Sequence, residues 1–412
     1  MDKVVKMKLI SLVYLMPVIH AIAQVTTNYF PPGTINPGFF RLIYLLLALV
    51  IIYSIKKPAL KNLFFITILF ILYNLFLVLL NDEILKPLLN LIRLSIPLLI
   101  LFVGYTLIDN ERKLQTLFKA YLIALLIFII SFVLANIFGL GGSTYMEGSF
   151  YIGGAGVGAA NELAVLIIIA ITFLIINDER KWKLFAIILV VIALILILVS
   201  LRRGAFLILA GALVVFYFLS PYKSEIFKYS LLTGAILIIL FPLYGSVLVE
   251  RYGARAESRG GTITNIEVEN RFLEFFVVPE SLNREGGLSW AFGTHNLNSE
   301  VYFGGRELHV GYMAILHGTG IIGFVLFFIF KWSLIYKGAI HYKKAIKSDN
   351  IRLYYALYLV LIISIFIYLL TSRLHGFSVT FLTYLMLGSL LKSLKRKRFD
   401  YEQIIKCAIH LK

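Results

Sequence analysis

Six arginines stand in one polar stretch of the sequence, and the same stretch contains no lysine. It runs from Glu250 to Glu307, and its arginines are Arg251, Arg255, Arg259, Arg271, Arg284 and Arg306. Lysine and arginine carry the same charge, so charge alone does not explain this preference. Arginine offers a planar fork of donors that pairs with phosphate through two hydrogen bonds, and it stays charged when partly desolvated. The stretch therefore predicts binding of a phosphorylated ligand.

A second arginine pair, Arg202 and Arg203, lies between two long apolar runs that leave no room for a loop. We expect the chain to turn sharply here, and Gly204 suits such a turn. Two interpretations stay open. The arginines extend from a helix end to the polar boundary of a membrane, or they form a fixed clamp for a diphosphate.

His309 opens an apolar run that reads as a helix. The positive end of a helix dipole favours a neutral imidazole, which is the form that a general base needs. A single histidine at such a position is also common without any catalytic role. Arg271 has a similar ambiguity, because a salt bridge with Glu267 or Glu274 competes with a contact to substrate.

Other side chains with suitable chemistry are scattered along the chain. Arg93 lies deep in an apolar run, where a charge costs roughly 2.5–3.5 kcal/mol and so should face protein. We interpret His317 as a packed or hydrogen-bonded residue, and His295 as part of an outer loop. No spacing of His, Cys or acidic residues indicates a metal site. The remaining candidates are Asn161, Glu162, Tyr312, Arg373 and His375.

The rest of the sequence indicates where these residues are held. The chain has 412 residues, 60% of them hydrophobic, and a mean hydropathy of +0.90. These values exclude an ordinary soluble domain and predict a single all-α, polytopic membrane domain. The one cysteine, Cys407, excludes a disulfide framework. We predict about twelve transmembrane helices, at 9–30, 38–55, 62–80, 84–108, 114–138, 156–176, 182–201, 204–220, 229–249, 308–331, 353–370 and 374–391.

The basic residues predict how the chain is oriented. The net charge is +17, and 27 of the 39 basic residues fall in alternate connections or the termini, which the positive-inside rule places in the cytoplasm. Both termini are then cytoplasmic, 250–307 is a large extracytoplasmic loop between the ninth and tenth spans, and 392–412 is a basic cytoplasmic tail. Residues 1–23 resemble a signal peptide, but we expect the first helix to be retained.

Twelve basic residues remain on the outer side or within the spans, and eleven of them are arginine. The positive-inside rule does not explain this excess. The placement of charge gives no support to nucleic-acid binding. The twelve residues are Arg41, Lys86, Arg93, Arg202, Arg203, Arg251, Arg255, Arg259, Arg271, Arg284, Arg306 and Arg373.

Four short patterns resemble the O-antigen ligase and polysaccharide polymerase superfamily of membrane glycosyltransferases. They are Arg203-Gly204-Ala205, Asn161-Glu162-Leu163-Ala164, Arg271 followed by Phe292-Gly293, and His309 followed by Gly320 and Gly323. The sequence departs from the family pattern at two positions. Arg202 stands where the family usually has Ser, and Val310 stands where Asn is common.

The resemblance implies a GT-C-like transferase in the bacterial cytoplasmic (inner) membrane that uses a glycan on undecaprenyl diphosphate as donor. Arg203 and Arg271 would neutralise the departing diphosphate, with Arg202, Arg93 and Arg373 as supporting charges, so no metal or other cofactor is required. His309 would accept a proton from the acceptor hydroxyl, or orient it. Residues that would support this machinery are Asn161, Glu162, Tyr312 and Glu274.

The acceptor is not fixed by these residues. A polymerase would add the chain to another lipid-linked repeat unit of O-antigen, capsule or exopolysaccharide, and a ligase would transfer it to lipid A-core. We favour the polymerase, because a cleft open to the membrane suits two lipid-linked glycans. A flippase and a chain-length regulator of the same pathway are the expected protein partners. A transporter or flippase is the alternative from a different functional class.

Overall fold

The computed structural model describes residues 3–29, 37–53, 60–81, 84–137, 155–200, 202–257, 270–295, 297, 303, 308–344, 348–372 and 377–410. All regular secondary structure in these ranges is helical, as predicted. The helices are α1 (Lys3–Tyr29), α2 (Pro37–Tyr53), α3 (Lys61–Leu79), α4 (Leu85–Leu107), α5 (Glu111–Ile137), α6 (Ala155–Ile176), α7 (Arg180–Ser200), α8 (Arg203–Leu219), α9 (Lys223–Glu257), α10 (Asn270–Glu285), α11 (Ser289–Phe292), α12 (Gly311–Lys344), α13 (Asp349–Thr371) and α14 (Phe377–His410).

Nine of the described helices are long and apolar enough to cross a membrane, and three more are apolar but shorter. Each of the twelve predicted spans coincides with one of these helices. The chain is therefore a multi-pass membrane protein. The three shorter segments are Phe40–Tyr53, Ala160–Ile176 and Arg203–Leu219.

Helices α4 and α14 form the centre of the bundle, and they pack closely along their length. In the most apolar 18-residue stretch of each helix, 89% of the residues are buried in α14 and 72% in α4. Two glycines allow this close approach. A Cβ added at Gly388 would lie 1.9 Å from the Leu101 carbonyl oxygen, and one added at Gly104 would lie 2.4 Å from the Leu385 carbonyl oxygen. Small residues let helix backbones approach in this way in membranes.

Helix α9 lies at the edge of the bundle, where it packs mainly on α7. Only 6% of its most apolar 18-residue stretch is buried. Many of its exposed side chains are apolar, among them Ile238, Ile239 and Leu243, each more than 70% exposed. Such an apolar surface is stable in contact with lipid but not in contact with water.

Helix α12 is broken by Gly320, whose φ of 63° and ψ of −171° are not helical. The first part, 311–319, is a short half-helix, and 321–344 continues as the long part. Helix α11 packs against the break. Gly293 also has a positive φ of 73°, and a Cβ there would lie 2.5 Å from the Gly320 backbone nitrogen. Both positions therefore require glycine, for conformation and for space.

The structure corrects one expectation. Gly204 is not the turn residue, because it lies inside the first turn of α8, while Arg202 takes the extended conformation before the helix. Lys331, the last residue of the predicted tenth span, lies within α12 and is only 1% exposed. Helix α14 continues without interruption to His410, so the described part of the predicted basic tail is helical.

Candidate functional site at one end of the bundle

Most of the predicted site residues lie at one end of the bundle, which we call the site end. Hydrogen bonds between distant parts of the chain define it. The Asn161 amide donates to the Ser372 hydroxyl at 3.3 Å, and His20 Nε2 lies 2.8 Å from the Ser378 hydroxyl. The Asn81 amide donates to the His295 carbonyl. These contacts bring α1, α3, α6, α13, α14 and the segment after α11 to the same end.

Glu274, in α10, holds the beginning of α12. Its carboxylate accepts hydrogen bonds from the backbone N–H groups of His309, at 2.9 Å, and Val310, at 2.8 Å. Glu274 is 5% exposed. The N-terminus of a helix carries partial positive charge and unpaired N–H groups, so a carboxylate there is favourable. Glu274 therefore occupies the anion site that this half-helix offers.

The same carboxylate faces the His309 imidazole. Glu274 Oε1 lies 3.6 Å from His309 Nδ1, an electrostatic contact longer than a direct hydrogen bond. His309 keeps 29% of its side chain exposed. A carboxylate on the Nδ1 side orients a histidine ring so that Nε2 faces outward, as in catalytic His–carboxylate pairs. Glu274 was predicted as a supporting residue, but its direct contact with His309 was not.

The pKa of Glu274 reflects these contacts. Burial of the carboxyl group acts to raise the pKa, but the His309 side chain and the backbone N–H groups of His309 and Val310 outweigh it, so the pKa lies below its ordinary value. Glu274 is thus held as a carboxylate, the form that interacts most strongly with His309 and with the helix terminus.

The half-helix 311–319 is fixed in place by polar contacts along its length. The Tyr73 hydroxyl donates to the Thr319 carbonyl at 2.8 Å, and the Thr294 backbone N–H donates to the His317 carbonyl at 2.8 Å. His317 is fully buried, with Nε2 3.2 Å from the Ser281 hydroxyl. This confirms that His317 is a packed, hydrogen-bonded residue. Since Ser281 is in α10, the same helix as Glu274, α10 and α12 are joined at two levels.

Arg202 and Arg203 lie where α8 begins, beside the N-terminal part of α6. Both arginines are partly buried. Glu162, in α6, interacts electrostatically with Arg202 and lies beside Ser378. Glu162 is 5% exposed, and its Oε2 is buried without a hydrogen-bond partner among the described residues. Asn161 Oδ1 is likewise buried without a hydrogen-bond partner among them. Arg202, Asn161 and Glu162 therefore form one polar group, the α6–α8 group.

Gly204 allows the α6–α8 group to be close-packed. A Cβ at this position would lie 3.1 Å from the Thr371 hydroxyl and 3.5 Å from Asn161 Oδ1. The role of Gly204 is thus to bring the start of α8 against α13 and α6.

Arg93 faces protein, as predicted. Its Nη1 donates to Asn90 Oδ1 at 3.3 Å, and the Asn90 amide donates to the Leu297 carbonyl at 3.4 Å. Arg93 is thereby connected to the segment that packs on α12. It also lies close enough to Arg41, in α2, for the two guanidinium groups to repel each other.

Several predicted residues do not join these groups in the described contacts. Tyr312 packs its ring against Phe328 and Phe366, in the interface between α12 and α13. Arg271 follows the first residue of α10, but its side chain lies outside the described part of the chain. Arg373 and His375 also lie outside it.

Some residues that are prominent in the structure were not predicted as site residues. His20 and Tyr44 are buried and line a pocket with Arg41, which was predicted only as one of the outer arginines. Lys331 donates to the Tyr384 hydroxyl and lies 4.9 Å from the Phe327 ring centroid. The sequence signal for Lys331 is its place as the last residue of the predicted tenth span, 308–331.

Comparison with protein-family models and with curated proteins gives no match for this chain. Within the described ranges, no group of three or more His, Cys, Asp or Glu side chains is arranged to hold a metal ion. The function is therefore inferred from the chemistry of the site end itself.

Proposed function

We propose that this protein is a membrane glycosyltransferase that polymerises lipid-linked oligosaccharide repeat units at the outer face of the bacterial cytoplasmic membrane. The donor is a glycan on undecaprenyl diphosphate, and the acceptor is a hydroxyl of a second lipid-linked glycan. In this arrangement twelve helices span the membrane, both termini are cytoplasmic, and the site end faces outward.

The observation that carries the proposal is the Glu274–His309 pair at the start of the α12 half-helix. A buried carboxylate within 3.6 Å of a partly exposed imidazole is an arrangement suited to general-base chemistry. The arginines at the same end add the second requirement, which is positive charge for a phosphorylated leaving group. The described members of this set are Arg202 and Arg203, at the start of α8, and Arg93, in α4.

The reaction consists of one displacement at the anomeric carbon. His309 Nε2 accepts the proton of the acceptor hydroxyl while its oxygen forms a bond to the anomeric carbon. The bond between that carbon and the diphosphate oxygen breaks, and its electron pair leaves with the diphosphate. Arginine side chains stabilise the charge that develops on the leaving group, with Arg203 and Arg271 as the principal residues. Direct displacement inverts the anomeric centre.

The retaining alternative would need a carboxylate nucleophile close to the anomeric carbon. Glu274 does not fit this role, because both of its oxygens accept hydrogen bonds from the start of α12. This favours inversion. Glu300 and Glu307, which the sequence also offers, lie outside the described residues.

The test is transfer by the purified protein from a synthetic undecaprenyl-diphosphate oligosaccharide, without nucleotide. A ladder of products supports the polymerase, and product formed only after addition of lipid A-core indicates the ligase instead. Absence of both, together with movement of the intact lipid across a vesicle membrane, would support a flippase and overturn the proposal.

Two variants connect the assay to the site. His309→Ala should lower the rate by about 10²–10⁴-fold while donor binding is retained. Arg203→Lys keeps the charge but removes the planar fork, so the rate should fall by about 10²–10³-fold. Arg180→Lys is the matched control, because Arg180 is exposed at the start of α7, at the opposite end of that helix from Arg203. Equal activity of Arg203→Lys and this control would exclude a bidentate phosphate contact at Arg203.

A further inference from the structure

A pocket lies between α1, α2 and α14 at the site end, separated from Glu162 by Ser378. The pocket is partly open, and its empty volume of about 250 Å³ includes space that is continuous with the surroundings. The enclosed part is small, which suits one polar group of a ligand and not a whole glycan. The residues that line it are His20, Ala23, Gln24, Phe40, Arg41, Tyr44 and Phe377.

Two buried polar atoms in the pocket wall lack a hydrogen-bond partner among the described residues. They are the Tyr44 hydroxyl and His20 Nδ1, on side chains that are 3% and 2% exposed. Burying such groups unpaired is costly, and most buried polar atoms in proteins are paired. The aromatic rings around them are closely packed, with His20 stacked on Phe381 at 4.6 Å between centroids. The wall of the pocket therefore has unused hydrogen-bonding capacity.

The positive charge of Arg41 in the pocket wall favours an anion as the ligand. Arg41 lies with its guanidinium carbon 5.5 Å from the Phe377 ring centroid, and no lining residue is acidic. Arg41 takes part in none of the ion pairs formed among the described residues. Arg93, on α4, is close enough to repel it. An oxyanion in the pocket would relieve this repulsion and accept hydrogen bonds from Arg41 and from the Tyr44 hydroxyl.

The surroundings of the pocket indicate that the anion belongs to a lipid. The faces of α1 and α2 beside it carry exposed apolar side chains, with Ile22 at 48%, Leu42 at 49% and Leu46 at 53%. In a membrane these side chains contact acyl chains. We propose that the pocket binds the phosphate group of a membrane lipid whose chains lie along this α1–α2 surface. The proposal does not require the transfer reaction.

The proposal is tested with the purified full-length chain and short-chain phosphatidic acid as the probe. Binding is measured by isothermal titration, with phosphatidylcholine of the same chain length and inorganic phosphate as comparison ligands. Arg41→Gln removes the charge and should weaken binding of phosphatidic acid by about tenfold or more. Tyr44→Phe removes one oxygen and should weaken it by about two- to tenfold. Arg180→Gln, at an exposed position at the start of α7, should leave it unchanged.

Each outcome decides the matter. Unchanged affinity in both Arg41→Gln and Tyr44→Phe would overturn the proposal. Inorganic phosphate binding as tightly as phosphatidic acid would assign the pocket to a free anion and overturn the lipid assignment. If Arg41→Gln does not fold, Tyr44→Phe alone decides, because it changes neither charge nor ring. Lipid binding without any glycan transfer leaves this proposal standing and removes the proposed function.

Discussion

At the residue scale, Glu274 has the most clearly defined electrostatic role. Its pKa is lower in the folded protein than its usual value of 4.5, so the folded state binds fewer protons than the unfolded state near that pH. The stabilisation from Glu274 is therefore complete above the usual glutamate range and is lost as the pH falls through the folded-state pKa. The carboxylate cap of α12 weakens in the same acid range.

We predict that Glu274→Gln lowers the stability at pH 7 by about 1–3 kcal/mol, because the charged acceptor of the α12 N–H groups becomes a neutral amide. Acidification should also lower the melting temperature of the variant less than that of the parent protein. Thermal unfolding in detergent between pH 3 and pH 7 measures both effects. Glu280→Gln, on the exposed side of the same helix, is the control. Parallel melting curves for Glu274→Gln and the parent at all pH values would contradict this account.

Some of the site chemistry followed from residue type and position, and some did not. Asn161, Glu162 and Arg202 were predictable because each begins or precedes an apolar helix whose polar end must face the boundary. The Glu274–His309 contact joins residues 35 apart, one in α10 and one just before α12, and helical periodicity carries no information about such a contact. The Arg41 pocket depends on α1, α2 and α14 being neighbours. Sequence spacing does not reveal this arrangement, because the residues come from opposite ends of the chain.

At the element scale, helix positions were largely predictable and helix interactions were not. Hydrophobic length alone placed twelve helices, since an unpaired backbone is excluded from the lipid interior. The break at Gly320 was not predicted, because glycine is tolerated within membrane helices and its conformation depends on the α11 contact. That break explains Lys331: the long part of α12 starts at 321, so Lys331 falls in its middle and contacts Tyr384.

The crossing of α4 and α14 gives a prediction for the central elements. We expect Gly388→Ala to destabilise the protein by about 2 kcal/mol or more, because the new Cβ meets the Leu101 backbone oxygen at 1.9 Å and neither helix can yield locally. Gly234→Ala in α9 is the matched control, since a Cβ there meets nothing within 4 Å. Thermal unfolding and size-exclusion profiles of the two variants measure the difference. An unchanged melting temperature for Gly388→Ala would show that the crossing is looser than described.

At the scale of the whole molecule, the excess of arginine on one side and of lysine on the other is meaningful only if the bundle has the proposed orientation. The proposed orientation and the proposed function are linked, because an inverted bundle would place the Glu274–His309 pair and the arginine groups in the cytoplasm. A lipid-linked donor in the outer leaflet could not then reach them. Orientation is thus the broadest requirement of the proposed function.

The single cysteine provides a direct measurement of that orientation. Cys407 lies in the C-terminal part of α14, so a membrane-impermeant maleimide should label it in inside-out vesicles and leave it unlabelled in intact cells. In a Cys407→Ser background, Glu280→Cys on exposed α10 should show the reverse pattern. The Cys407→Ser protein without a new cysteine is the control for background labelling. Labelling of Cys407 in intact cells, with Glu280→Cys protected there, would place the site end in the cytoplasm and remove the basis for extracytoplasmic transfer.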